Sequence, residues 1–213
     1  MYIPTHFHCE ERAAVLELMA QYPLATMVTH DAEGLAANPL PMLAEIRGEQ
    51  LFLIGHVARA NPVWKTAASH STCLAIFQGA QGYISPQWYA SKAIDGKVVP
   101  TWNYQAVHCH GSLTAHDDPI WLKQLLHKLT NTHERSFAQP WSVDDAPNDY
   151  VERMLKAIVG IEIAVTRVEA KFKLSQNKSP AEMKNLIHGL EATEDAQKAL
   201  LGKAMRAVLP DST

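Results

Sequence analysis

The chain has 213 residues, 47% of them apolar and 19% charged, with a formal net charge of -3. That is enough apolar material for an ordinary core without covalent staples, and the mild acidity withholds the broad basic surface on which non-specific nucleic-acid binding rests. Cys9, Cys73 and Cys109 form an odd, widely spaced set. Such a set excludes a disulfide framework and reads as reduced thiols in a cytoplasmic protein. The N-terminus has no basic region followed by an apolar run, so no signal peptide is expected. No window reaches the ~18 apolar residues that a membrane span needs, so no membrane partner is expected.

Taken in chain order, Glu10 to Gln21 predicts a helix, with Ala13, Ala14, Leu16, Leu18 and Met19 as its apolar stripe and Pro23 as its stop. Leu24 to Thr29 predicts a strand, and His30 to Gly34 a turn. Leu35 to Leu40 is extended but holds Pro39, with Pro41 just beyond, which points to an edge strand or a bulge because proline cannot donate to a ladder. Met42 to Arg47 and Leu51 to Gly55 flank Gly48-Glu49-Gln50, a hairpin signature. Asn61 to Ala68 predicts a short helix with Asn61 as cap and Pro62 at its first position. Thr72 to Gln78 reads as a buried strand, and Lys97 to Thr114 as a long strand interrupted near Pro100. Asp118 to His133 and Asn148 to Ala157 predict helices, Ile158 to Leu174 a strand, and Pro180 to Leu190 and Glu194 to Leu209 two closing helices. Strands lead and helices come late. The order predicts one α+β domain over residues 1–213, built on an antiparallel barrel with peripheral helices, the last of them at about 180–209.

Three stretches carry candidate chemistry. In His56-Val57-Ala58-Arg59-Ala60-Asn61-Pro62-Val63-Trp64-Lys65, a strand end meets a helix start, where unpaired N–H groups and one arginine suit a phosphate. Trp102, Asn103 and Tyr104 stand in succession on a strand, where a planar heteroaromatic ligand would satisfy their polar ends. Lys171 to Lys178 places two lysines on one strand face before a polar turn. His108 and His110 share a strand face, but no third ligand is near in sequence and no metal site is expected. There is no G-x-G-x-x-G, no Walker loop, no G-x-S-x-G elbow and no catalytic carboxylate pair.

Tyr2-Ile3-Pro4 with Phe7, His56 to Pro62, Tyr83-Ile84-Ser85-Pro86-Gln87-Trp88-Tyr89, Val99 to Tyr104 and Lys171 to Lys178 together resemble the PaiB family of FMN-binding negative transcriptional regulators. The resemblance runs from Met1 to about Gly189. It implies an FMN-binding split barrel, of the kind shared with pyridoxine phosphate oxidases, in a homodimer with flavin at the subunit interface. Carried over by position, Arg59 and Asn61 would hold the FMN phosphate, and His56, in the same motif, is a further cofactor-binding candidate. Thr26 and Met27 would lie along the isoalloxazine ring. Trp102, Asn103 and Tyr104 would line the pocket, and Lys173 and Gln176 would reach it. The family often has Asn-His-Leu-Pro where this chain reads Asn38-Pro39-Leu40-Pro41, and proline cannot supply a histidine's proton chemistry. The implied function is a negative transcriptional regulator, with DNA or another regulatory molecule as partner. The alternative is a flavin-dependent oxidoreductase of the pyridoxine phosphate oxidase or flavin reductase type. No basic recognition helix is visible, since Lys184, Lys198, Lys203 and Arg206 are interleaved with Glu182, Glu191, Glu194 and Asp195.

Overall fold

A computed structural model describes residues 1–66 and 72–210 of the chain. Seven strands form one antiparallel sheet: β1 (Leu24–Asp31), β2 (Gly34–Pro41), β3 (Leu43–Arg47), β4 (Gln50–Ala58), β5 (Thr72–Ile84), β6 (Thr101–His116) and β7 (Ile158–Lys173), in the order β2-β1-β5-β6-β7-β4-β3. The helices are α1 (Arg12–Gln21), α2 (Val63–Thr66), α3 (Pro119–Glu134), α4 (Asn148–Leu155), α5 (Pro180–Glu191) and α6 (Ala196–Ala207). Three later helices start where a side chain meets the free amides of the first turn: Asp118 caps α3, Ser179 caps α5 and Asp195 caps α6. No helix of the described residues is long and apolar enough to cross a membrane.

The edge position of β2 agrees with its prolines, which sit opposite Thr26 and Leu24 in the β1 ladder. The β3–β4 hairpin closes on Arg47↔Gln50, so its turn is Gly48-Glu49, with Gly48 at φ +63°. That left-handed conformation favours glycine. Two strand boundaries differ most from the sequence reading. β5 runs on through Gln78 to Ile84, and β6 begins only after Pro100, whose ring removes a ladder donor. Of the predicted helix from Asn61 to Ala68, the described residues show Val63–Thr66 as helical; Ala67 and Ala68 lie outside the described residues.

Contacts divide the chain into two compact units, one of Met1–Leu18, Gln78–Val107 and Glu169–Thr213, the other of Met19–Phe77 and His108–Val168. The second unit holds β1 to β4. Its core includes Met27, Leu53, Ile161 and Ile163, and a cluster in which Ile54 packs with Leu125 and Leu129 of α3. Trp121 of α3 presses on β7 at Gly160, where a Cβ would come within 2.1 Å of its ring. The first unit holds α5 and α6, which bury Met183, Leu186, Ile187, Leu190, Leu201 and Met205.

Candidate functional site

The residues singled out by sequence fall into two groups, one per unit. Thr26, Met27, His56, Arg59 and Asn61 belong to the second unit; Trp102, Asn103, Tyr104, Lys173 and Gln176 belong to the first.

The loop after β4 is built from its own side chains. Asn61 Oδ1 accepts from the Val63 N–H at 3.0 Å, and its Nδ2 donates to Asn38 Oδ1 at 2.8 Å. Trp64 Nε1 donates to the Arg59 carbonyl at 3.0 Å. Arg59 does not stand open at the loop. Its Nε donates to the Lys156 carbonyl at 2.7 Å, one terminal nitrogen to Asp117 Oδ2 at 2.9 Å, and the other to Asp117 Oδ1 and, at 3.0 Å, to the Ile158 carbonyl. Four of its five N–H groups are engaged in this way. The hydrogen bond with Asp117 raises the Arg59 pKa, and the reciprocal bond holds the Asp117 carboxyl below the usual range. The motif was visible in sequence. Its carboxylate partner, 58 residues away in the chain, was not.

On β1, burial alternates. Met27 is fully buried in the core, and Thr26, on the other face, is half-buried. The two side chains therefore do not lie along one surface. His56, on β4 opposite Gly160, is half-buried, and its Nδ1 is sealed from solvent with no hydrogen-bond partner. Burial lowers its pKa, so the imidazole is neutral at pH 7.

In the first unit a cavity of about 240 Å³ opens beside the start of β6 and the end of β7. Thr101, Asn103 and Lys173 line it; Trp102 and Tyr104 do not. Trp102 is half exposed, meets Tyr83 edge-on at 6.4 Å and donates to Gln81 at 3.2 Å. The Lys171 ammonium lies 5.4 Å over the Tyr104 ring and 5.6 Å over the Tyr2 ring. Asn103 is 1% exposed; its Nδ2 donates to Ser175 Oγ at 2.9 Å, and its Oδ1 is buried with no partner. Lys173 donates to Thr101 Oγ1 and to the Trp102 carbonyl at 2.7 Å. Desolvation, then the neighbouring Lys171 charge, lower its pKa. Gln176 is spent on the backbone, accepting from Leu174 N–H at 2.8 Å and donating to the Phe172 carbonyl at 2.6 Å, so it shapes the turn after β7. Sequence reasoning included Ser175 in the Lys171–Lys178 stretch but not its hold on Asn103 from a left-handed φ of +68°, and it missed Met205 of α6, whose sulfur lies 3.5 Å from Asn103 Nδ2.

The three thiols are free, as the sequence reading expects. Burial pushes Cys73 up to about 11 and Cys109 up to about 12, which leaves both inert at neutral pH.

FMN fits what these groups offer. Asn103 Oδ1, in the first unit, is a buried acceptor awaiting a donor, which a flavin's ring N–H or a ribityl hydroxyl would supply.

An antiparallel sheet of this order, with flanking helices, is the split-barrel class of fold. Residues 1–167 match a protein family described as "Putative FMN-binding domain". The chain is 31% identical over 207 residues, 96% of each chain, to the protease synthase and sporulation protein PAI 2 of Bacillus subtilis. Among solved structures it is similar to the flavocytochrome Anf3 from Azotobacter vinelandii (TM-score 0.55, 12% identity, 80% of this chain and 72% of that one). It is also similar to the FAD and heme binding protein from Mycobacterium smegmatis (TM-score 0.51, 15% identity, 78% and 73%). These structural likenesses establish the fold. The chain belongs to this FMN-binding family, with PAI 2 as a relative along nearly its whole length, and FMN is its cofactor. Lys173 and Gln176 lie beyond the matched residues.

Proposed function

We propose that this chain is a PaiB-type flavoprotein regulator: a cytoplasmic homodimer with FMN at the subunit interface, which represses gene expression through its flavin-bound state. The observation that carries the flavin part is the unmet buried acceptor Asn103 Oδ1, on a residue that the family motif nominates. In this reading Arg59 and Asn61 hold the phosphate, with Arg59 exchanging Asp117 for it. Thr26 and the Met27 backbone follow the ring. His56, Trp102, Asn103, Tyr104, Lys173 and Gln176 complete the pocket in the dimer. Bound FMN supplies one- and two-electron chemistry.

The regulatory part is supported by kinship with PAI 2, whose name records protease synthesis and sporulation rather than a reaction. The closing helices do not present a basic face. Arg206 is forked onto Glu191 at 2.9 and 2.6 Å, and Lys198 lies 3.8 Å from Asp195. We therefore assign repression to a protein or small-molecule partner rather than to a helix in the major groove. A gel shift with the protein's own upstream DNA over a salt series tests this. Binding no tighter than to random DNA agrees with the assignment, and tight sequence-dependent binding overturns it.

A second reading is a flavin-dependent oxidoreductase, favoured by the neutral His56 with its unpartnered Nδ1. Rapid-mixing reduction of the bound flavin by NADH or NADPH decides this. A flavin that neither donor reduces and oxygen does not reoxidise removes the enzyme reading. For the phosphate assignment, Arg59→Ala weakens FMN and Asp117→Asn, which releases the guanidinium, strengthens it. Unchanged affinity in both moves the phosphate elsewhere.

A further inference from the structure

The first unit's cavity gathers three lysines, of which the flavin reading above uses only Lys173. Lys97, Lys173 and Lys178 line it, and no carboxylate does. Lys97 stands at its rim with Nζ 3.9 Å from the Asp95 carboxylate. Among the described residues, Lys173 and Lys178 have no ion-pair partner. The Lys178 ammonium lies 5.2 Å over the Tyr89 ring, a contact that leaves its three N–H groups unspent. Lys173 spends two of its three donors on Thr101 and Trp102.

Deeper in the same wall stands Asn103 Oδ1, an acceptor on a side chain that is 1% exposed, with no donor of its own. The amide is held from its other end by Ser175, whose backbone is left-handed at φ +68°. A strained residue that fixes a buried, unsatisfied amide is the kind of cost that folded proteins retain at ligand sites. The lysines ask for an anion. The amide oxygen beside them asks for an O–H or N–H donor.

We propose that this cavity binds a phosphomonoester carried on a short hydroxylated chain, with the phosphate on Lys173 and Lys178 and an adjacent hydroxyl donating to Asn103 Oδ1. Two sources share that chemistry: the ribityl phosphate end of FMN, or a separate small sugar- or polyol-phosphate. The first rests on FMN being the cofactor and would place its phosphate here instead of on Arg59 and Asn61; the second is independent of the FMN reading.

The test is calorimetric titration of the full-length protein, FMN-free and FMN-loaded, with glycerol 3-phosphate. The FMN-free protein binds it. Lys178→Gln weakens it by roughly tenfold or more, as expected for loss of a charge-assisted hydrogen bond, while Lys178→Arg retains it. Lys92→Gln, an exposed control whose ammonium rests on Gln87, changes nothing. Methyl phosphate, which lacks the hydroxyls, binds more weakly than glycerol 3-phosphate. If loading with FMN abolishes binding and Lys178→Gln weakens FMN but not riboflavin, the cavity serves the cofactor's own phosphate. If the loaded protein still binds, the ligand is separate. A protein that takes up no FMN at all removes the flavin reading and leaves the glycerol 3-phosphate arm decisive. Glycerol 3-phosphate that does not bind in either state, or binds Lys178→Gln as tightly as the wild type, overturns the proposal. Equal affinity for methyl phosphate overturns the role of Asn103.

Discussion

The Arg59–Asn61 loop and the lysine-lined cavity both hold cations beside the end of a strand, yet they differ in how those cations are used. At the loop, a carboxylate and two carbonyls already surround Arg59, and Asn61 is divided between a cap and Asn38. At the cavity, Lys173 and Lys178 meet no carboxylate among the described residues, and Asn103 Oδ1 is buried without a donor. A phosphate arriving at the loop competes with Asp117, whereas one arriving at the cavity meets open charge. The loop's motif is short and contiguous, and so is easy to notice. The cavity is assembled from segments far apart in the chain, and its open valences emerge only on folding.

The largest way to disturb this contrast is at Gly160, which supports the loop by pairing with His56 and lying against Trp121. Gly160→Ala drives a methyl into that ring, and we expect a loss of about 3 kcal/mol in denaturant unfolding. A loss within error would mean that α3 yields freely and that the loop is not rigidly seated. Next, Asn103→Ala leaves the buried Ser175 hydroxyl without its partner and lowers stability by about 2 kcal/mol. If FMN or glycerol 3-phosphate stabilises the wild type in a thermal melt and stabilises this variant just as much, the amide has no ligand role. Asn61→Ala removes the side-chain acceptor for the Val63 N–H at the start of α2 and should lower stability by only about 1 kcal/mol. A loss larger than that of Asn103→Ala would reverse the ranking of the two regions.

The smallest effect is the pH dependence from His56. Its folded-state pKa lies below the ordinary 6.5, so the unfolded chain binds a proton that the folded chain refuses. Stability is full above that value and declines as the pH falls through it. Unfolding of wild type and His56→Gln, compared at successive pH values, should show the variant losing part of this slope. Identical slopes would place the titration elsewhere.

Much of the fold was legible because its determinants are local. Pro39 and Pro41 marked β2 as an edge, Gly48 marked the hairpin, and Asp118 and Pro180 marked helix starts. The start of β6 was missed because an apolar run, Val98-Val99, continues to the wrong side of Pro100. In the site, the residue types were legible but their commitments were not. Trp102, Asn103 and Tyr104 read as one pocket wall, yet only Asn103 lines the cavity. Asp117 lies 58 residues from Arg59, and Met205 lies 102 residues from Asn103. No local pattern announces such pairings, because tertiary packing alone brings them together.

The central claim is that this chain is an FMN-binding protein, and it is tested most directly by adding FMN to the purified full-length protein and following the visible flavin spectrum through gel filtration. We predict that one FMN per chain comes through with the protein peak, with a band shape distinct from that of free flavin. A spectrum identical to free FMN at every ratio, with all flavin separating from the protein, would contradict the account.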